Sequence, residues 1–202
     1  MIGEFLGYVL CGLLTVMVVN VLLDKVKQKD TEITLPKQIR KKEYLMMFLF
    51  GAISFQGIRI STILLVGISV YMAFMAYTDY YTRKVYSAFS YLMFLLGIFY
   101  LFGETQNWKA DITALLICIA IVMLGFMIRA YAFGDVEIYI ALCPYYIKMF
   151  LDGTFLLLYS FTLFVAVFTS IRWKPLGISK TKAMAPVIAF VHFFLIVLLF
   201  LL

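Results

Sequence analysis

The sequence predicts an all-α membrane protein, a polytopic bundle of about eight transmembrane helices. Of its 202 residues, 65% are hydrophobic and only 14% are charged, and the mean hydropathy is +1.03. These values lie outside the range of soluble globular domains. The apolar runs are continuous and not alternating, which indicates helices instead of the strands of a barrel. We therefore expect a single integral membrane domain over residues 1–202.

Eight apolar runs define the predicted spans. The first begins without a basic residue before it and ends without a small-x-small cleavage site, so we expect a retained span and not a signal peptide. The second and sixth are short for a full crossing. We expect them to tilt little, to thin the bilayer locally, or to be broken near Cys143 and Pro144. The predicted spans are 2–23, 44–57, 60–78, 86–102, 112–128, 136–150, 153–171 and 184–202.

Lysine and arginine divide unequally between the loops on the two sides of the predicted bundle. Alternating the loops puts 14 of the 17 basic residues on one side, seven of them in a basic loop over residues 24–43. Cytoplasmic loops of membrane proteins accumulate such residues, so that side is predicted to be cytoplasmic and both termini outside. The net charge of +6 is then a topology signal, with anionic lipid headgroups as the expected partner and no role for nucleic acid.

Most of the eleven acidic residues are expected to be solvated loop charges. These residues are Glu4, Glu104, Asp111 and Asp152 near the outer face, and Asp24, Asp30, Glu32 and Glu43 in or beside the basic loop. Asp79 ends the third span and Asp135 begins the sixth, so both are predicted at the cytoplasmic membrane surface, with Glu137 close by. An ionisable group at the edge of the apolar zone is costly and is by default a functional candidate.

Two aspartates brought close together can act as an acid–base pair. Like charges at short range cannot both ionise, so one carboxyl keeps a proton while the other is a base. The ionised carboxylate can take a proton from water, while the protonated one stabilises the oxyanion of the carbonyl under attack. This chemistry requires neither a metal nor a cofactor. The alternative is that each aspartate caps a helix or pairs with Arg83, Lys84 or Arg129.

The segments around both aspartates resemble a known family. Residues 132–137, AFGDVE, resemble the GxGD motif of type IV prepilin peptidases, the bacterial membrane aspartyl proteases that remove leader peptides from pilin-like precursors. Residues 79–85, DYYTRKV, resemble the other catalytic segment of that family. Residues 182–189, KAMAPVIA, resemble the proline-containing entry to its last helix. The resemblance covers residues 60–202, which would form the peptidase core.

The resemblance implies a role for each residue of these segments. The catalytic dyad would be Asp79 and Asp135. The residues that would shape the loop beside it are Gly134, Ala132 and Phe133. Neighbours of the dyad or of the substrate would be Glu137, Thr82, Arg83 and Lys84. The substrate would be a pilin-like precursor with a short basic leader and an apolar helix, cleaved at the cytoplasmic face of the bacterial inner membrane.

Three positions depart from the family pattern. Ala132 replaces the first motif glycine, Glu137 stands where lysine is usual, and Tyr86 stands where proline is common. These departures indicate a divergent member, and the change at Glu137 leaves open an inactive or altered homologue.

Larger members of the family carry a cytoplasmic insert with two CxxC pairs suited to zinc, and many of them methylate the new N-terminus. This chain has only Cys11, Cys118 and Cys143, which are too far apart for that pattern and are expected to be packing residues. We therefore expect a peptidase without metal, cofactor or methyltransferase activity.

Three other functions are compatible with these residues. In a proton- or cation-coupled transporter the aspartates would relay ions, although transporters usually hold such acids near the midplane. A non-catalytic membrane subunit of a pilus or secretion assembly would keep the fold. An intramembrane protease of the presenilin type would hold its aspartates inside facing helices, and the predicted interfacial position argues against it.

Overall fold

In the computed structural model, residues 2–29, 35–36, 38–55, 60–103, 107–128, 132–149, 154–173 and 184–201 are described, and their regular elements are all α-helices. The helices are α1 (Ile2–Lys29), α2 (Lys41–Ile53), α3 (Ile60–Thr82), α4 (Ser87–Gly103), α5 (Trp108–Met127), α6 (Phe133–Met149), α7 (Thr154–Trp173) and α8 (Ala185–Leu201). The all-α class is confirmed. Among the residues singled out above, Arg129, Asp30, Glu32, Glu104 and Asp152 lie outside the described ranges.

Each predicted span coincides with one helix, but the helices do not end where the apolar runs end. α1 continues to Lys29 and α3 continues to Thr82, beyond the predicted ends at residues 23 and 78. By length and composition, three of the described helices are long and apolar enough to cross a membrane: α1, α3 and α5. Shorter apolar stretches occupy α4, α7 and α8. That all eight helices cross a bilayer stays a prediction.

The sixth helix runs unbroken through Pro144, so of the three alternatives for a short span the break near Cys143 and Pro144 is wrong. A proline inside a helix removes one backbone hydrogen bond and crowds the preceding turn. Packing against α4 holds this part of the helix in place. A Cβ added to Gly97 would lie 3.0 Å from Pro144 Cβ, and the hydroxyl of Tyr145 donates to the carbonyl of Met93 at 2.8 Å.

The chain divides into two compact units, Met1–Lys84 with His192–Leu202, and Val85–Val191. In the first unit α1, α2 and α3 pack against one another. The end of α2 is joined to α3 by hydroxyls: Ser54 Oγ and Ser69 Oγ lie 2.5 Å apart, and Ser69 Oγ donates to the carbonyl of Phe50 at 3.0 Å. This network fixes the register of α3, which carries Asp79, against α2.

In the second unit α6 is the central helix, in contact with α4, α5 and α7. Eleven of its 17 residues are buried, including Asp135 and Glu137. Its middle and its last turn are tied to neighbours, since Tyr139 is hydrogen-bonded to Thr162 and Lys148 Nζ lies 3.9 Å from a carboxylate oxygen of Asp111. Asp111 is therefore paired and not a solvated loop charge. The buried polar groups of α6 are covered by the helices that pack around it, α4, α5 and α7.

Candidate functional site

Asp79 lies in the last turn of α3 and is only 7% exposed. Its carbonyl accepts the backbone N–H of Arg83 at 3.0 Å, and the helix ends three residues after it, at Thr82. Aspartate is among the residues least often buried in proteins. The third helix therefore presents a buried carboxylate in its last turn, close to the predicted position at the end of the span.

The chain leaves α3 through a strained residue. Arg83 has a φ of 58°, in the left-handed region that costs a non-glycine residue about 1–2 kcal/mol. The hydroxyl of Thr82 donates to the carbonyl of Thr78 at 2.7 Å and accepts the N–H of Lys84 at 3.3 Å, which helps to hold this exit. Backbone strain concentrates at functional sites. Here it falls within the segment that the resemblance marks as catalytic.

A hydrogen bond ties the last turn of α3 to the start of α2. The hydroxyl of Tyr81 donates to Oε1 of Glu43, and Oε2 of Glu43 accepts the backbone N–H of Arg40 at 2.9 Å. The ring of Tyr81 also contacts the rings of Tyr77 and Tyr80, with centroids 4.8 and 4.9 Å away. Glu43 was predicted to be a solvated loop charge, and that prediction is wrong because both of its carboxylate oxygens are engaged.

Asp135 occupies the first turn of α6 and is 6% exposed. Its Oδ2 accepts the backbone N–H of Ala132, the residue directly before the helix, at 3.0 Å. A carboxylate at this position satisfies one of the free N–H groups of the helix start and interacts favourably with the helix dipole. Asp135 therefore caps α6, which is the alternative role that the residues alone had left open.

Phe133 and Gly134 lie in the first turn of α6 and not in a loop. A Cβ added to Gly134 would lie 2.9 Å from Cγ2 of Val85, so glycine at this position permits close approach of Val85 to the helix. Phe133 is 59% exposed, and its ring centroid lies 6.0 Å from that of Phe126 in α5. The expectation that both residues shape a loop is thus replaced by helix packing, since the helix begins two residues before Asp135.

Glu137 is buried on α6, with 8% of its surface exposed. Aspartate and glutamate are among the side chains least often buried in proteins, so a buried glutamate on this helix is a candidate for a functional position.

The structure describes the two aspartates in separate units, Asp79 within Met1–Lys84 and Asp135 within Val85–Val191. Their meeting stays a prediction of the sequence. In the described ranges, no group of three or more His, Cys, Asp or Glu side chains is arranged to hold a metal ion.

Sequence reasoning missed the pair formed by Glu43 and Tyr81. A glutamate three residues after the residue that precedes a helix is half of a capping box, and the position of Glu43 before an apolar run carried that signal. Nothing in the sequence pointed to Tyr81 as its partner.

No family model, curated protein or solved structure matches this chain. The resemblance to prepilin peptidases therefore rests on the residues of its motifs.

Proposed function

We propose that the protein is a membrane aspartic endopeptidase that removes the short basic leader from pilin-like precursors. The observation that carries this proposal is the burial of Asp79 and Asp135, 7% and 6% exposed, in the terminal turns of two helices. Both lie in segments that resemble the two catalytic segments of prepilin peptidases. Burial of a carboxyl disfavours its charged form, which suits a pair that must share one proton.

The proposed reaction uses the two carboxyls in different protonation states. The ionised one takes a proton from water while the oxygen of that water attacks the scissile carbonyl, and the protonated one donates a hydrogen bond to the developing oxyanion. Collapse of the tetrahedral intermediate breaks the C–N bond, and the departing amine takes a proton from a carboxyl. Neither Asp79 nor Asp135 is consumed, and the dyad returns to its starting state.

The proposed setting is the bacterial cytoplasmic membrane, with eight crossings, both termini outside and the active site at the cytoplasmic face. Supporting this topology, 14 of 17 basic residues fall in alternate loops on one side. Pilus, competence and secretion systems all use pilin-like precursors of the kind that this site would cleave.

We further propose that Glu137 receives a basic side chain of the precursor leader. A carboxylate that is only 8% exposed would be compensated by a Lys or Arg of the substrate. The family usually has lysine at this position, so the precursor of this protein would differ from those of its relatives in the charge it presents there.

Replacing Glu137 with Gln is expected to raise the KM for a precursor with a basic leader about tenfold and to leave kcat within a factor of about two, because only substrate binding loses a charge. When the charged residues of the leader are replaced by Gln, the Glu137→Gln variant and the wild type should cleave that precursor equally well. Equal KM values of variant and wild type for the basic leader would contradict the assignment.

One observation favours a second candidate, a non-catalytic subunit of a pilus or secretion assembly. Oδ2 of Asp135 accepts the N–H of Ala132, and a carboxylate used as a helix cap needs no catalytic role. In that case the protein would bind pilin-like precursors and leave them intact.

The test is a cleavage assay with the full chain reconstituted in lipid vesicles. The substrate is a synthetic precursor with a short basic leader followed by an apolar helix, and mass spectrometry identifies the new N-terminus. Cleavage at the boundary between leader and helix is expected. An intact precursor, together with proton or cation flux through the same vesicles, would replace the peptidase proposal with the transporter.

A further inference from the structure

The last turn of α3 carries Asp79 and is a helix end, where backbone carbonyls lack partners within the helix and the chain tends to fray. Two threonine hydroxyls bond back to carbonyls one turn earlier, Thr78 to Phe74 at 3.1 Å and Thr82 to Thr78 at 2.7 Å. These bonds lie within α3 and fix its last turn only to the rest of the same helix. Something else must hold this turn in place against the surrounding protein.

Tyr81 supplies a side-chain hydrogen bond from this turn to another helix. Its hydroxyl donates to Oε1 of Glu43, 38 residues earlier in the chain, at the start of α2. A hydrogen bond from a neutral donor to a carboxylate is roughly twice as strong as one between neutral groups. The bond therefore joins the end of α3 to the start of α2.

Glu43 is held from the other side, so it is a fixed point and not a mobile side chain. Its Oε2 accepts the N–H of Arg40 at 2.9 Å, while the carbonyl of Arg40 accepts the N–H groups of Glu43 and Tyr44 at 2.9 and 3.2 Å. The carboxylate is thus locked to the first turn of its own helix. Tyr81 is therefore bonded to a carboxylate that is itself hydrogen-bonded to the start of α2.

Tyr81 and Asp79 are two residues apart on one helix, so their side chains project in directions that differ by roughly 200°. The hydroxyl of Tyr81 therefore acts on the backbone of the turn and not on the carboxylate itself. We infer that Glu43 and Tyr81 are a positioning pair, which holds the last turn of α3 rigid so that Asp79 keeps its reactive geometry. This inference rests on the proposed function of Asp79. Catalytic groups lose activity when their support allows displacements of about 1 Å.

The test compares the wild type with Tyr81→Phe, which removes the hydroxyl and keeps the ring contacts with Tyr77 and Tyr80. Backbone amide exchange in residues 79–83 is expected to rise about tenfold, as it does when a bond worth about 1.4 kcal/mol is lost. Cleavage of the synthetic precursor should show a kcat lowered about tenfold with KM unchanged, because substrate binding is not touched. The matched control is Tyr91→Phe, since Tyr91 is 59% exposed on α4, and it should behave as the wild type in both measurements.

A double-mutant cycle ties the effect to the bond itself. In a Glu43→Ala background, where residue 43 has no acceptor for the hydroxyl, Tyr81→Phe should change exchange and kcat less than about twofold, because contacting residues show coupled effects. Fully additive effects, wild-type exchange in Tyr81→Phe, or faster exchange with wild-type kcat would each overturn the positioning role. Cleavage by the wild type is measured in the same experiment. If the wild type does not cleave the precursor, the proposed peptidase function fails. If it does cleave and Tyr81→Phe behaves as the wild type, only the positioning role fails.

Discussion

Replacing Asp79 or Asp135 with asparagine is expected to lower kcat for precursor cleavage by at least about 10³-fold, since general acid–base catalysis of this kind contributes about 10²–10⁴-fold and the amide can neither accept nor hold the proton. Asparagine keeps the size of the side chain and one carbonyl oxygen. At Asp135 that oxygen can still accept the N–H of Ala132, so the cap on α6 is retained. The loss should therefore be chemical and not a failure to fold.

Asp24→Asn is the matched control for these two variants. Asp24 undergoes the same substitution, its side chain is 69% exposed, and its pairing with Lys27 is weak at 3.9 Å. Its kcat should equal that of the wild type. Thermal unfolding followed by circular dichroism in the same detergent should place all three variants close to the wild type.

The double variant Asp79→Asn with Asp135→Asn sharpens the test. Groups that act as a unit are non-additive, so the double variant should be no slower than the slower single variant. Normal processing by either single variant would remove that residue from the dyad, and normal processing by both would end the peptidase proposal.

The helices of this protein could be predicted from its sequence because continuous apolar runs of this length favour helices over alternating strands. The ends could not, because helical hydrogen bonding continues past the point where the apolar run stops. α1 carries charged residues up to Lys29, and α3 includes Asp79 within its last turn. Asp79 is therefore held by the regular backbone of α3 and does not lie in the segment after the helix.

The sequence predicted which aspartates to examine, through their segments, but not how each is held. The hydrogen bond between Tyr81 and Glu43 joins residues 38 positions apart, and no periodicity encodes that distance. The capping role of Asp135 depends on where α6 begins, which is the least predictable feature of a helix. The Pro144 prediction was wrong because tertiary packing by Gly97 and Tyr145 outweighs a local breaker.

The glycines of the predicted spans show the same limit of prediction from sequence. Gly51, Gly57 and Gly67 all stand in predicted apolar spans, where a glycine predicts close packing between helices, and Gly57 lies outside the described residues. Gly51 confirms the prediction, since an added Cβ would lie 2.2 Å from Thr15 Oγ1 and 2.5 Å from the carbonyl oxygen of Cys11. At Gly67 the prediction is wrong, because among the described residues no atom outside the adjoining turns of α3 lies within 4 Å of an added Cβ. The sequence shows where a glycine stands, but only the folded structure shows which face of the helix it occupies.

Gly51→Ala and Gly67→Ala should therefore shift stability in opposite directions. Alanine at position 51 must push α1 away from α2, because a backbone oxygen at 2.5 Å cannot rotate aside, and overpacking of this kind costs about 1–3 kcal/mol. The expected fall in Tm is roughly 2–4 °C for each kcal/mol lost. Alanine at position 67 meets open space and removes the entropic cost of a helical glycine, about 0.5–1 kcal/mol, so Tm should rise by a few degrees.

The two variants are controls for each other, since each adds one methyl group to a helical glycine in the same unit. Circular dichroism at 222 nm during heating in one detergent measures both. A fall in Tm for both would mean that the space beside Gly67 is filled in the folded protein, and a rise for both would mean that α1 and α2 do not approach at Gly51. Only a fall in Tm for Gly51→Ala together with a rise for Gly67→Ala agrees with a structure in which Thr15 and Cys11 lie directly against Gly51.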